Sequence, residues 1–166
     1  GSLGVKVSEG RIPNSYDTQL FLFDLKSRKA EPLTRNFDPA AGMAYWAPDG
    51  KIYLTATERD YVNLYRLDPK RRSFTKIDVP VEVITSVDYA KNNSIAVLRG
   101  TSISIPDRLY TLDLSTGKST LLCDPAAGRL EDVISCQTEE WNFKNSRGTT
   151  IYGRVYYPVN YDPSKM

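Results

Sequence analysis

Histidine is absent from the 166 residues of this chain. A Ser-His-Asp relay needs an imidazole that titrates near neutrality, so the chain as it stands cannot contain one. The nucleophile elbow G-x-S-x-G is missing as well. Gly100-Thr101-Ser102-Ile103-Ser104 begins that pattern and fails at its last position, and we read it as a loop. The sequence therefore predicts no catalytic residue and no enzymatic activity in the chain itself. Cysteine is scarce. Cys123 and Cys136 stand 13 residues apart, which is neither a zinc pattern nor a disulfide framework. We expect buried free thiols, with a bridge left open. No calcium-loop, phosphate-loop or zinc spacing appears, so no cofactor or metal is expected. There is no run of 18 apolar residues and hence no sign of a membrane-spanning helix. A charge excess is missing too: 22 Lys and Arg against 20 Asp and Glu leave a net charge of +2, which argues against a nucleic-acid partner. The densest basic spot, Lys70-Arg71-Arg72, reads as a solvated turn. The opening Gly-Ser reads as an expression scar, so the native N-terminus and any leader are expected outside this sequence.

What the chain does have is aromatic residues and a period. Eleven tyrosines favour β structure. Three segments align: "QLFLFDLKSRKAEPLT" (19–34), "NLYRLDPKRRSFTKID" (63–78) and "RLYTLDLSTGKSTLLC" (108–123). Each is an alternating apolar strand, an aspartate, a short polar turn and a second strand. The aspartates Asp24, Asp68 and Asp113 are 44 and 45 residues apart. A second unit, "YWAPDGKIYLTA" (45–56), returns 43 residues later as "DYAKNNSIAVLR" (88–99), with Asn92-Asn93 where Asp49-Gly50 stood. "DPAAG" occurs at 38–42 and again at 124–128.

Two hairpins per 43–45 residues describe one four-stranded propeller blade. An immunoglobulin-like sandwich has no such repeat. Residues 3–34 would supply three strands (5–8, 19–24 and 29–33), 37–78 and 79–122 a blade each, and 131–136 one further strand. The segment 125–133 would form a helical turn. In "LYTLDL", Leu109, Thr111 and Asp113 should face one way, and Tyr110, Leu112 and Leu114 the other. Gly117 suits the left-handed position that closes its hairpin. Arg28 and Arg72 take the same place in the other repeats, at a cost of about 1 kcal/mol each. The recurring aspartate is read as a cap on its own turn rather than a catalytic group.

The blade pattern, and still more the tail "EEWNFKNSRGTTIYGRVYYPVNYDPSK" (139–165), resembles the prolyl oligopeptidase family of serine peptidases, in particular its dipeptidyl peptidase IV-like branch. The tail is similar to the junction where such enzymes leave the propeller for the α/β-hydrolase domain: an aromatic-led strand (Trp141, Phe143), a Gly turn, "I-x-G" at Ile151–Gly153, then Pro158 and "YDPSK". The wording of the blades suggests a bacterial member. The resemblance implies an all-β fold: a partial β-propeller of about three four-stranded blades over 1–136, and over 137–166 the first hairpin of a truncated α/β-hydrolase domain. It implies a non-catalytic propeller segment of a serine exopeptidase that restricts and orients peptide substrates. The implied partners are those peptides, the missing hydrolase domain, and other copies of the chain through open edges. A periplasmic or secreted location follows from the resemblance, with a cytoplasmic one left open. The second reading is a protein-interaction propeller with no enzymatic domain. Glu139-Glu140 is read as a solvated linker pair, and Asn92-Asn93-Ser94 as a chance glycosylation sequon. Residues 141–157 should form an antiparallel hairpin belonging to no blade, with Trp141, Phe143 and Val155 left exposed.

Overall fold

The computed structural model describes residues 18–91, 94–162 and 164. The expected strand at 5–8 and the Asn92-Asn93 turn lie outside the described residues. Among the described residues there are twelve strands. Two are short, β1 (Phe21–Phe23) and β2 (Ala30–Pro32), and they pair as a hairpin that ends one blade. A complete blade follows: β3 (Ala40–Trp46), β4 (Ile52–Glu58), β5 (Tyr61–Asp68) and β6 (Ser73–Ile77), each antiparallel to the one before. The next blade repeats the plan with β7 (Val83–Tyr89), β8 (Ile95–Ser102), β9 (Ile105–Asp113) and β10 (Ser119–Cys123). The two blades are stitched at one end, where Val62 of β5 bridges Val83 of β7 in parallel.

The blades stack face to face because strand alternation sends neighbouring residues into different cores. On β4, Ile52, Leu54 and Ala56 enter the core shared with Leu33 and Ala41, while Tyr53 enters the other. On β5, Tyr65 and Leu67 join the first core, and Leu64 joins Leu98, Tyr110 and Leu112 in the second. Five of these leucines, Leu54, Leu64, Leu67, Leu98 and Leu112, are fully buried. A strand of the middle blade is thus apolar on both sides, and the expected partition of Tyr110, Leu112 and Leu114 to one face holds, since all three lie in the second core. Phe37 stacks on Phe74 at 4.1 Å and Tyr45 on Tyr89 at 4.3 Å across these seams.

The turns follow the repeat. Asp24 accepts from the backbone N–H groups of Lys26 and Ser27 (3.1 and 2.5 Å), Asp68 from Lys70 and Arg71 (3.0 and 3.1 Å), and Asp113 from Ser115 and Thr116 (2.8 and 3.4 Å). Arg28, Arg72 and Gly117 close the same turn with φ of 55°, 53° and 74°. Asp49-Gly50 forms the other tight turn, with Gly50 at φ 76°.

Two expectations need correction. No strand forms at 131–136. The first "DPAAG" runs into β3 because β4 is there to pair with it, whereas the second has no following strand within reach, and an unpaired strand would leave its backbone groups unsatisfied. Residues 124–133 instead make successive turns, with Ala127 N–H on the Asp124 carbonyl (3.2 Å) and Arg129 N–H on Ala126 (2.9 Å), and leave Val133 and Ile134 exposed. The cysteines are free but not buried: Cys123 is exposed and Cys136 half-buried.

The last two strands, β11 (Thr138–Lys144) and β12 (Thr150–Tyr156), form a separate two-stranded sheet with no strand of either blade in it. Its turn is closed by Asn145, whose side chain accepts from the N–H groups of Arg147 and Thr149 (2.9 and 3.0 Å), and by Gly148 at φ 78°. The strand stops just before Pro158, as expected of a residue that cannot donate to a ladder.

Candidate functional site

The register of the hairpin sorts its side chains. Trp141 lies opposite Gly153, and Phe143 opposite Ile151. These form one apolar face, on which the Trp141 and Phe143 rings stack at 4.8 Å. Trp141, Phe143 and Ile151 remain 50%, 43% and 39% exposed, while Val155 on the same face is half-buried. The other face carries Glu140, Tyr152 and Arg154, and it meets the β4–β5 turn of the middle blade.

Arg154 is the centre of that meeting. Its side chain is only 11% exposed. Nε and Nη2 both donate to Asp60 Oδ2, at 2.9 and 2.7 Å, and Nη1 lies 3.5 Å from Glu82 Oε1. The guanidinium also sits 5.4 Å from the Tyr61 ring. The bond to Asp60 leads the interactions that hold the Arg154 charge firmly and push its pKa further up. Glu140 accepts a hydrogen bond from the Tyr61 hydroxyl and lies 3.8 Å from Arg59 Nη1. The Glu140 carboxylate raises the Tyr61 phenol, since removing that proton would set two negative oxygens together. Arg59 in turn covers the Tyr152 ring at 4.2 Å. Glu139 points to the opposite face and accepts from the Tyr157 hydroxyl at 2.7 Å. The solvated linker pair expected at Glu139-Glu140 is thus corrected: both are residues of strand β11, each with its own partner. The groove between the β4–β5 turn and the hairpin encloses about 620 Å³ and is lined by Arg59, Asp60, Glu140, Asn142, Tyr152 and Arg154.

A second, smaller crevice of about 280 Å³ opens between the two blades at the opposite end, walled by Tyr45, Tyr53 and Leu114 with Asp49 and Arg66 at its mouth. The Tyr53 phenol is pushed up by burial and by Asp49 nearby. Among the described residues no three His, Cys, Asp or Glu gather in a way that would hold a metal ion. The loop expected at Gly100–Ser104 is corrected: Gly100, Thr101 and Ser102 end strand β8, paired with its neighbours, and only Ile103 and Ser104 make the tight β8–β9 turn, while Lys70, Arg71 and Arg72 form an exposed turn. Sequence reading placed the hairpin and its apolar face. It missed Arg154, Asp60 and Glu82 because they are 72 and 94 residues apart along the chain and meet only through the fold.

No protein-family model and no curated protein matches the chain. Solved structures do. The dipeptidyl peptidase 4 of Porphyromonas gingivalis superposes with a TM-score of 0.67 at 17% identity, over 88% of this chain and 21% of that one. A puromycin hydrolase matches with 0.62 at 18% identity, over 84% and 22%. TolB from Acinetobacter baumannii matches with 0.53 at 14% identity, over 83% and 35%. The fold is therefore a β-propeller segment of the kind these proteins contain. The chain spans about a fifth of the length of the first two.

Proposed function

We propose that this chain is the non-catalytic propeller segment, with the junction that follows it, of a serine exopeptidase of the prolyl oligopeptidase family. The observation that carries the reading is the hairpin: beyond the last blade the chain builds a separate sheet with a polar face on the propeller and an apolar face, Trp141, Phe143 and Ile151, turned away from it. A further domain packed on that apolar face accounts for its composition. The fold shared with dipeptidyl peptidase 4 supports the same reading. In it, the boundary falls near residue 137, the propeller limits entry to short or unfolded peptides and helps orient them, and the chemistry belongs to a hydrolase domain encoded downstream. The chain itself, without histidine or a G-x-S-x-G elbow, turns over nothing.

A propeller that only binds proteins is the second reading, kept because TolB shares the fold. The hairpin favours the first reading, since a pure scaffold has no use for an extra sheet with a bare apolar face. The test is the native reading frame beyond Met166. Expressed with its following residues, the protein should contain a G-x-S-x-G and cleave chromogenic dipeptides ending in proline, with the activity blocked by a serine-directed reagent. A reading frame without that elbow sinks the peptidase reading. So does turnover by the 166-residue chain alone that survives repurification and is blocked by the same reagent.

A further inference from the structure

The crevice between the two blades is built on a row of residues that the repeat does not require. Tyr45 of β3, Tyr53 of β4 and Arg66 of β5 stand directly opposite one another across three neighbouring strands. Counted from the turn aspartates Asp68 and Asp113, the corresponding row of the next blade is Asp88, Val97 and Thr111, which carries neither a ring nor a cation. The two tyrosine rings, Leu114 of the facing blade and the single methyl group of Ala47 wall a space of about 280 Å³. That is close to the lower end of small-ligand pockets, roughly 300 Å³. Tyr53, Ala47 and Leu114 are buried, so the base of the crevice is apolar. Tyr45 is stacked on Tyr89 at 4.3 Å with the planes 5° apart, which holds its ring in place.

The mouth of the crevice is charged. Asp49 and Arg66 both lie beside the Tyr53 hydroxyl, and that shared neighbour keeps the carboxylate and the guanidinium close together. Among the described residues neither of them forms an ion pair. Two opposite charges held near one another but unpaired suit a ligand that carries both complementary charges on a single carbon. The tyrosine faces beneath them suit an aromatic side chain, since rings prefer offset or edge-on contact with other rings. We propose that this crevice binds a free aromatic α-amino acid, its ring between Tyr45, Tyr53 and Leu114, its carboxylate on Arg66 and its ammonium on Asp49. An arginine can meet a carboxylate through two parallel N–H donors, which fixes the ligand's orientation as well as its charge. The crevice lies at the end of the blades opposite the hairpin, so the inference stands whether or not the peptidase reading does.

The experiment separates the three contacts. The isotope-labelled chain is titrated with phenylalanine, N-acetylphenylalanine, phenylalanine amide and alanine, and dissociation constants are read from its backbone amide shifts. Phenylalanine should bind with a Kd below about 1 mM and move the amides of Tyr45, Tyr53, Arg66 and Leu114 foremost. The acetyl derivative lacks the ammonium, the amide lacks the carboxylate and alanine lacks the ring, so each should bind about tenfold more weakly or worse. Arg66→Gln should weaken phenylalanine about tenfold and leave phenylalanine amide unchanged. Asp49→Asn should weaken phenylalanine and leave N-acetylphenylalanine unchanged, while its side-chain oxygen still accepts from the Lys51 N–H and keeps the turn. Arg147→Gln, an equal change of charge on the hairpin, should alter none of these constants. The absence of a saturable shift at the crevice overturns the proposal, as does binding of the acetyl derivative, the amide or alanine as tight as that of phenylalanine. If a variant fails to fold, the four ligands on the unsubstituted chain still decide.

Discussion

Lys51 Nζ donates to Asp68 Oδ2 at 2.6 Å, tying one hairpin turn of the middle blade to the next. In the following blade Ser94, 43 residues after Lys51, takes the same place, and its hydroxyl donates to Asp113 Oδ1 at 3.2 Å. The repeat thus preserves a connection between the two turns at one end of each blade, although the residue types differ. Asp68 and Asp113 thus each cap their own turn and reach the neighbouring turn with one carboxylate.

That geometry has a pH signature. The Lys51 ammonium and backbone N–H groups hold the Asp68 pKa at about 2, and the Ser115 hydroxyl and backbone donors hold Asp113 at about 2, both below the ordinary value of 3.8. A carboxylate whose folded pKa is depressed contributes stability that is complete above its unfolded pKa and lost as pH falls through the folded value. Thermal unfolding followed between pH 5 and pH 2 should show stability falling from about pH 4 downward. Asp68→Asn and Asp113→Asn should be less stable at pH 6 and should flatten that fall. A fall of undiminished slope in both variants would mean that other groups carry it.

The turns predict an engineering gain. Arg28 sits at φ 55° in the position Gly117 fills in its own repeat, and among the described residues no side-chain hydrogen bond or ion pair holds it there. Arg28→Gly should therefore be neutral to stabilising by up to about 1 kcal/mol, the left-handed strain it relieves being partly offset by glycine's freedom in the unfolded chain. The reverse change, Gly117→Ala, should destabilise by about 1 kcal/mol. Urea midpoints at constant m-value read both.

Packing between blades predicts larger effects. A Cβ on Gly100 would stand 2.7 Å from Val81 Cγ2 and 2.8 Å from the Val83 carbonyl oxygen. The carbonyl belongs to the β7–β8 ladder and cannot retreat freely, so Gly100→Ala should cost about 1–3 kcal/mol. Leu98→Ala, which empties a fully buried position between the blades, should cost about 2–5 kcal/mol. A loss under 0.5 kcal/mol at either site would contradict the tight stacking described here.

The open apolar face of the hairpin, together with the exposed Leu121 and Leu122 of edge strand β10, predicts self-association of the chain. Light scattering at about 100 micromolar should report species above the monomer mass. Trp141→Ser with Phe143→Ser should reduce them without lowering the melting temperature of the blades, because neither residue touches a blade core. A clean monomer at that concentration would show that the exposed faces are too small or too well solvated to pair.

Much of this architecture was legible in the sequence because its signals are local and repeated. Asp24, Asp68 and Asp113 mark three turns at nearly equal spacing, and Gly117 and Gly50 mark the positions of left-handed backbone. The alternation of Trp141 and Phe143 against Asn142 and Lys144 gave the hairpin its apolar side. Where the reading failed, a local pattern lacked a partner. "EDVISC" has strand composition, yet with no neighbouring strand in the described residues it stays irregular. The Arg154 cluster was invisible for the opposite reason: Asp60, Glu82 and Arg154 are ordinary surface charges in their own segments, and only the fold brings them to one point.

The last prediction concerns removal of the tail. A chain ending at residue 136 loses β11, β12 and with them the partners of Arg59, Asp60 and Tyr61. These three lie in the β4–β5 turn, where their side chains become free to hydrate, so little is lost beyond the partly buried Arg154 pairing. Both hydrophobic cores stay whole, since every buried residue in them lies between Leu33 and Leu114. The shortened chain should thus fold, and amide hydrogen exchange should leave β4, β5, β8 and β9 as the best protected strands in both chains. Within the full-length chain, β11 and β12 should exchange faster than those four, because their ladder has two strands only and one face in water. Protection in the β4–β5 turn alone should drop on removal of the tail. If the blades instead lose protection throughout, then the hairpin is part of the propeller's cooperative unit, and a domain boundary near residue 137 is wrong.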